Sequence, residues 1–278
     1  MRYGIRAHRL YMDGRPVPYR PTPNRTPGFI LHPEGILLHD TAGRLDGDSS
    51  VAWFCRREAR ASAHLVIYRD GRVVQLAPFD AKTWHAGRSS LYGRSGVNNF
   101  AIGIEIVNPG RLEPLGNGSY RAWFGEIYDA RDYRIIERET PQHGFGGWMD
   151  YTPAQLRAVE EICVVLFARY GLRWIWPHWK VSPGRKIDTN PLFPLRHLQS
   201  HLLGRQDDAQ SSGVMLANTN QRRWPSYADN VIQVIPRGSE VEVLRSGWYT
   251  NDGERARWYL VSWRGREGWV HGSLIELL

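Results

Sequence analysis

Residues 173–203 read RWIWPHWKVSPGRKIDTNPLFPLRHLQSHLL, and their character changes twice. Arg173–Trp176 is a short apolar run with the look of a strand. Pro177–Pro194 is thick with Pro and Gly. Pro lacks an amide donor and Gly carries an entropy cost, so this segment is expected to be a loop, neither helix nor central strand. Pro194–Leu203 then reads as a helix. A strand, a loop bearing His178, Lys186 and Asp188, and a helix in succession point to an α/β fold with its chemistry on a loop.

The alternation continues upstream. Gly35–His39 (GILLH) is a buried strand ended by Asp40-Thr41-Ala42-Gly43, and Asp48-Ser49-Ser50 caps a helix from about Val51 to Ala61. Ala63–Tyr68 and Val73–Leu76 are strands joined at the Asp70-Gly71 turn. Ala101–Val107 (AIGIEIV) is a strongly apolar strand holding one acid, Glu105. Thr152-Pro153-Ala154-Gln155 has the pattern of a capping box, and the helix it opens carries an apolar face from Leu156 to Tyr170 before Gly171 stops it. These elements predict a mixed central sheet flanked by helices over residues 1–203. Residues 1–33 read as an extended arm with one short strand, and 109–150 as a polar, irregular insertion with a hairpin near Tyr120 and Tyr133. Residues 204–212 (GRQDDAQSS) read as a polar linker. From Gly213 to Leu278 short alternating runs (VIQVI, EVEVL, WYLVSW, EGWVHG) predict a small all-β barrel.

The chain has 278 residues, 42% hydrophobic and 23% charged, an ordinary globular composition. From Gly204 onward nine basic and nine acidic residues cancel, so the net +8 lies on the first 203. A basic domain favours polyanions, including the anionic polymers of a bacterial wall, but no recognition motif points to nucleic acid. Two cysteines, Cys55 and Cys163, make neither a disulfide framework nor a CxxC knuckle. No apolar run reaches the ~20 residues of a membrane span, and the start, MRYGIRAHRLYMDG, has no apolar signal-peptide region. A chain made in the cytoplasm, released to the wall by another route, is the expectation; action within the cytoplasm is the alternative.

Polar side chains emerge from the apolar strands at His39, Glu105 and His178. A lone histidine at a strand end is ordinarily a hydrogen-bonded structural residue, and Glu105 has a buried arginine as a possible partner in the same spirit. The combination says more. His39, His178 and Asp188 supply three N/O ligands for zinc and leave one position open, as catalytic sites do.

The order and spacing of LLHDTAG (37–43), SAHLVIYRDGRVVQLAPFDAKTWHAG (62–87), NNFAIGIEIVNPG (98–110), YTPAQL (151–156) and PHWKVSPGRKIDTNPLFP (177–194) resemble the zinc-dependent N-acetylmuramoyl-L-alanine amidases, the family that includes the peptidoglycan recognition proteins. The resemblance implies one Zn2+ on His39, His178 and Asp188, Glu105 as catalytic acid–base and Lys186 as stabiliser of the developing oxyanion. His64, His85, Trp84 and Asn108 are candidates for substrate contact. The implied substrate is peptidoglycan, cut between N-acetylmuramic acid and L-alanine. Asp40 departs from the family pattern, where an aromatic residue, His or Asn is common. VIPRGSEVEVL (234–244) and WYLVSWRGREGWVHGSLIELL (258–278) resemble bacterial SH3-type domains, which implies a wall-targeting module. Phage lysins and exported toxins combine such parts. A non-catalytic peptidoglycan-binding protein and a cytosolic muropeptide-recycling amidase are the alternatives.

Overall fold

The computed structural model describes residues 3–203, 211–251 and 253–277, so the linker expected over 204–212 lies largely outside the described residues. The chain divides into two compact units between Gly204 and Arg205. In chain order the first unit contains Gly35–Asp40 (β1), Asp48–Phe54 (α1), Leu65–Ile67 (β2), Val73–Gln75 (β3) and Ala101–Ile106 (β4). Then come Arg111–Pro114 (β5), Ser119–Arg121 (β6), Ile127–Asp129 (β7), Ile135–Thr140 (β8) and Gly144–Met149 (β9). Pro153–Tyr170 (α2), Trp174–Pro177 (β10), His178–Val181 (α3) and Leu195–Leu203 (α4) follow.

The central sheet has the order β10-β1-β4-β2-β3. Every residue of β1 and β4 is buried, as expected of apolar runs covered on both faces. β10, β1, β4 and β2 are parallel, and β3 returns antiparallel to β2, so the sheet is mixed. Side chains alternate between faces. Ile36 and Leu38 join Ile102, Ile104, Ile106 and the α2 residues Val159, Ile162, Cys163 and Leu166 in one core. Leu37 faces the other way, against Ala86, Phe100, Trp174 and Val181. The period of two thus carries His39 and Glu105 to the face opposite α2.

α2 starts where its cap chemistry says it should. Thr152 accepts from the Gln155 amide, the Gln155 side chain reaches back to Thr152, and Gly171 ends the helix in the left-handed region at φ 62°.

Four expectations need correction. The arm over 1–33 contains four strands among its described residues, and its Leu10 and Val17 belong to the core. The buried Gln75 side chain holds it by accepting from the Leu10 amide at 2.9 Å. Helix α1 ends at Phe54, and only a 3₁₀ turn at Arg57–Ala59 follows. The insertion is an ordered five-stranded sheet, order β7-β6-β5-β9-β8, around Leu112, Tyr120, Tyr128 and Met149. Finally, Pro177–Pro194 is not all loop. Pro177 caps the one-turn helix α3, a place where a missing amide proton costs nothing.

The second unit comprises Ser211–Met215 (β11), Thr219–Arg222 (β12), Val231–Ile235 (β13), Glu240–Asn251 (β14), Glu254–Trp263 (β15), Arg266–His271 (β16) and Ile275–Leu277 (β17). They form one sheet of order β13-β12-β16-β15-β14-β11-β17. Met215, Ile235, Val241, Val261, Val270 and Ile275 fill its core, and Trp258 and Trp269 are buried in a second cluster. Trp248 is exposed.

Candidate metal centre

Parallel register sets the site. Glu105 on β4 is the pairing partner of His39 on β1, and Pro177 at the end of β10 pairs with Leu38. His178 therefore emerges beside His39 at the carboxyl edge of the sheet. The chain then runs through α3 and returns Asp188 to the same point. Among the described residues His39, His178 and Asp188 form the one cluster with a metal-ligand donor set, their ligand atoms all within 4.8 Å of one another.

The hydrogen bonds decide which atoms face inward. His178 Nε2 lies 3.0 Å from the Ala86 carbonyl, so it carries the proton and donates. His85 Nε2 lies 3.3 Å from the Ala101 carbonyl and donates there, which leaves His85 Nδ1 as an acceptor. His39 Nε2, 3.1 Å from that Nδ1, must then carry its own proton. Both inward nitrogens are consequently bare. His39 Nδ1 and His178 Nδ1 are 2.9 Å apart, at 3.2 and 3.0 Å from Asp188 Oδ2. Three lone pairs thus meet with no proton between them. A cation reconciles that arrangement, and two imidazoles with one carboxylate oxygen suit zinc.

Burial shapes the protonation states. It drives the His39 pKa down to about 4, helped by His178, so the ring is neutral. Glu105 goes the other way. Burial, then the charges of Asp188 and Asp40, push its pKa well up, against the pull of Lys186. Its Oε2 is buried without a hydrogen-bond partner among the described residues. Lys186 is half-buried, and its charge acts on both Glu105 and His39.

The other candidates sit elsewhere. His64 is fully buried, accepting from the Gly103 amide at 3.0 Å and donating to the Ala81 carbonyl at 2.8 Å. Asn108 is also fully buried, bonded to the Met149 carbonyl and the Gly110 amide. Neither is placed to touch a substrate, because their polar atoms are spent inside. Trp84 is half-buried, and its indole N–H donates to the Thr26 hydroxyl at 3.0 Å. His85 acts through His39, as the bonds above require.

Asp40 is the residue that sequence reasoning flagged without placing. Its Oδ1 accepts from the Tyr151 hydroxyl at 2.6 Å, and its Oδ2 accepts from the Asn190 amide at 2.8 Å. It therefore ties the strand carrying His39 to the loop carrying Asp188. Burial raises its pKa to about 7. His143, from the insertion, donates from Nε2 to the Thr189 carbonyl at 2.9 Å and braces the same loop. No local pattern announced His143; Tyr151 stood only within YTPAQL.

Residues 31–191 match the N-acetylmuramoyl-L-alanine amidase family. The 1,6-anhydro-N-acetylmuramyl-L-alanine amidase AmpD of Citrobacter freundii is 57% identical over 136 residues, 48% of this chain and 53% of the relative. AmpD of Haemophilus influenzae is 49% identical over 186 residues, 63% of this chain and 81% of the relative. The N-acetylmuramoyl-L-alanine amidase AmiD of Escherichia coli is 28% identical over 191 residues, 66% of this chain and 58% of the relative. The chain spans 53% to 62% of the length of the first curated relatives it matches. The chain belongs to the N-acetylmuramoyl-L-alanine amidase family.

Proposed function

We propose that this member of the family hydrolyses the amide joining an N-acetylmuramyl lactyl group to L-alanine, with one zinc ion held by His39, His178 and Asp188. The observation that carries the reading is the meeting of three proton-free lone pairs beside Glu105, a buried acid with an unspent oxygen. A non-catalytic binder needs no such acid. Zinc in this position supplies Lewis acidity toward the carbonyl and a water of lowered pKa, ~7 in place of ~15.7. Glu105 takes the water's proton and passes it to the departing amine. Burial raises its pKa, which makes the ionised carboxylate a stronger base than an ordinary one. Lys186 places positive charge where the oxyanion develops, a contribution of typically ~3 kcal/mol.

The names of the relatives favour the 1,6-anhydro form of the substrate, a soluble fragment of peptidoglycan, over the intact wall. The fragment-recycling alternative therefore takes precedence over a wall lysin or exported toxin. The family match ends at Pro191, before the second unit begins. An SH3-like wall-targeting role for 213–278 remains a separate proposal, supported by the exposed Trp248. Among the described residues no helix is long and apolar enough to cross a membrane.

The test is digestion of a 1,6-anhydromuropeptide and of purified sacculi, with and without a chelator, followed by mass spectrometry. Release of peptide starting at L-alanine from the fragment, lost with chelator and restored by zinc, is expected. Preference for sacculi would return the wall reading to first place. No release from either substrate would reject the activity.

A further inference from the structure

The insertion places one aromatic residue in an unusual position. Trp123, at the tip between β6 and β7, is 77% exposed. Yet it is held in place: its indole N–H donates to the Ala42 carbonyl at 2.7 Å. Phe124 meets it edge-on at 5.6 Å, the Arg44 guanidinium lies 5.6 Å from the Phe124 ring, and Arg44 pairs with Glu126 at 2.8 Å. The hairpin tip is thus fastened to residues 42–44. Ala42 is only three residues beyond His39, so their backbones lie within about 11 Å. A large flat aromatic face, exposed and fastened beside a metal-ligand loop, loses nothing in rotamer freedom when a ligand covers it.

We propose that the indole face of Trp123 is the platform on which the sugar ring of the substrate stacks. The inference rests on the amidase reading and names which half of that substrate the insertion recognises. The reacting amide divides the substrate into a neutral pyranose side and a peptide side bearing carboxylates. Strand order separates two kinds of recognition in the same way. The loop with Arg185 and Lys186 follows β10, the hairpin with Trp123 follows β4, and β1 with His39 lies between them. The exposed Arg185 guanidinium on the β10 side suits the peptide carboxylates. The C–H face of a pyranose suits an aromatic plane on the β4 side. The hydrogen bond to Ala42 uses the edge of the indole and takes up neither face.

The experiment compares zinc-loaded wild type, W123A, W123F and the hairpin control I127A. Two compounds share the scissile amide, N-acetylmuramyl-L-Ala-D-Glu and D-lactyl-L-Ala-D-Glu, and only the first has the sugar. Binding is followed by calorimetry and turnover by peptide release. W123A is expected to weaken binding and raise KM about five- to tenfold for the sugar-bearing compound alone, with kcat unchanged. W123F, which keeps a flat face, should recover most of that loss, and I127A should behave as wild type. Equal binding of the sugar-bearing compound by wild type and W123A, or equal losses on both compounds, would overturn the platform. If no variant cleaves either compound, the amidase reading falls, and the calorimetric difference still judges Trp123.

Discussion

His39 and His85 share a hydrogen bond of 3.1 Å between Nε2 of the first and Nδ1 of the second, and its direction fixes which nitrogen of His39 faces Asp188. His85 is itself oriented by the Ala101 carbonyl, and the amides of residues 85 and 86 both donate to the Asn98 side chain. A main-chain carbonyl of β4 thereby sets the tautomer of His39 on β1. Replacing His85 with Phe keeps the ring and removes the acceptor. Zinc affinity is expected to fall about ten- to a hundredfold, read by competition with a chromogenic chelator. Unchanged affinity would show that the relay does not govern His39.

Glu105 is the group that takes the water's proton, and an amide cannot, so E105Q is expected to abolish amide cleavage while zinc still binds. The same variant reports on stability. The folded pKa of Glu105 lies above the unfolded one, so its contribution is present below the unfolded value and is lost as pH rises through the folded value. In metal-free protein, E105Q should melt above wild type at pH 8 and close to it at pH 5. A constant difference across that range would contradict the burial argument.

His64 has the opposite sign. Burial lowers its pKa to about 4, so the stability it lends is present above pH 6.5 and is lost as pH falls toward 4. The loss attributable to this group approaches about 3 kcal/mol. Urea midpoints of wild type and H64Q, measured from pH 7 to pH 4, should differ in slope in that window. Parallel profiles would assign the acid sensitivity elsewhere.

Tyr151 donates to Asp40, and Asp40 in turn accepts from Asn190. Y151F leaves a buried carboxyl one donor short, which costs about 1–3 kcal/mol. The strand carrying His39 then loosens from the loop carrying Asp188. Weaker zinc binding should accompany the lower unfolding midpoint. A stability loss with unaltered zinc affinity would make the contact purely structural.

Much of this was legible in the chain itself. GILLH and AIGIEIV are apolar runs, which marks them as buried strands of a mixed sheet from the sequence alone; their parallel pairing at its centre came from the structure. Thr152, Gln155 and Gly171 bound α2 by cap chemistry that is local and therefore readable. The insertion was not legible, because its strands are short, polar and glycine-rich, and their pairing depends on partners up to about 40 residues away. The N-terminal strands escaped for a related reason: the buried Gln75 side chain, not an apolar period, holds them.

Residue types and their order determined the donor set, two imidazoles and a carboxylate with an acid and a lysine nearby, since those are properties of single positions. Tertiary structure alone decided which atoms of that set meet. Hydrogen bonds from His178 to Ala86, from His85 to Ala101 and from His39 to His85 cross between separate elements, and they choose the protonated nitrogen of each ring. A tautomer depends on what stands opposite in space, and the linear order of residues does not carry that information.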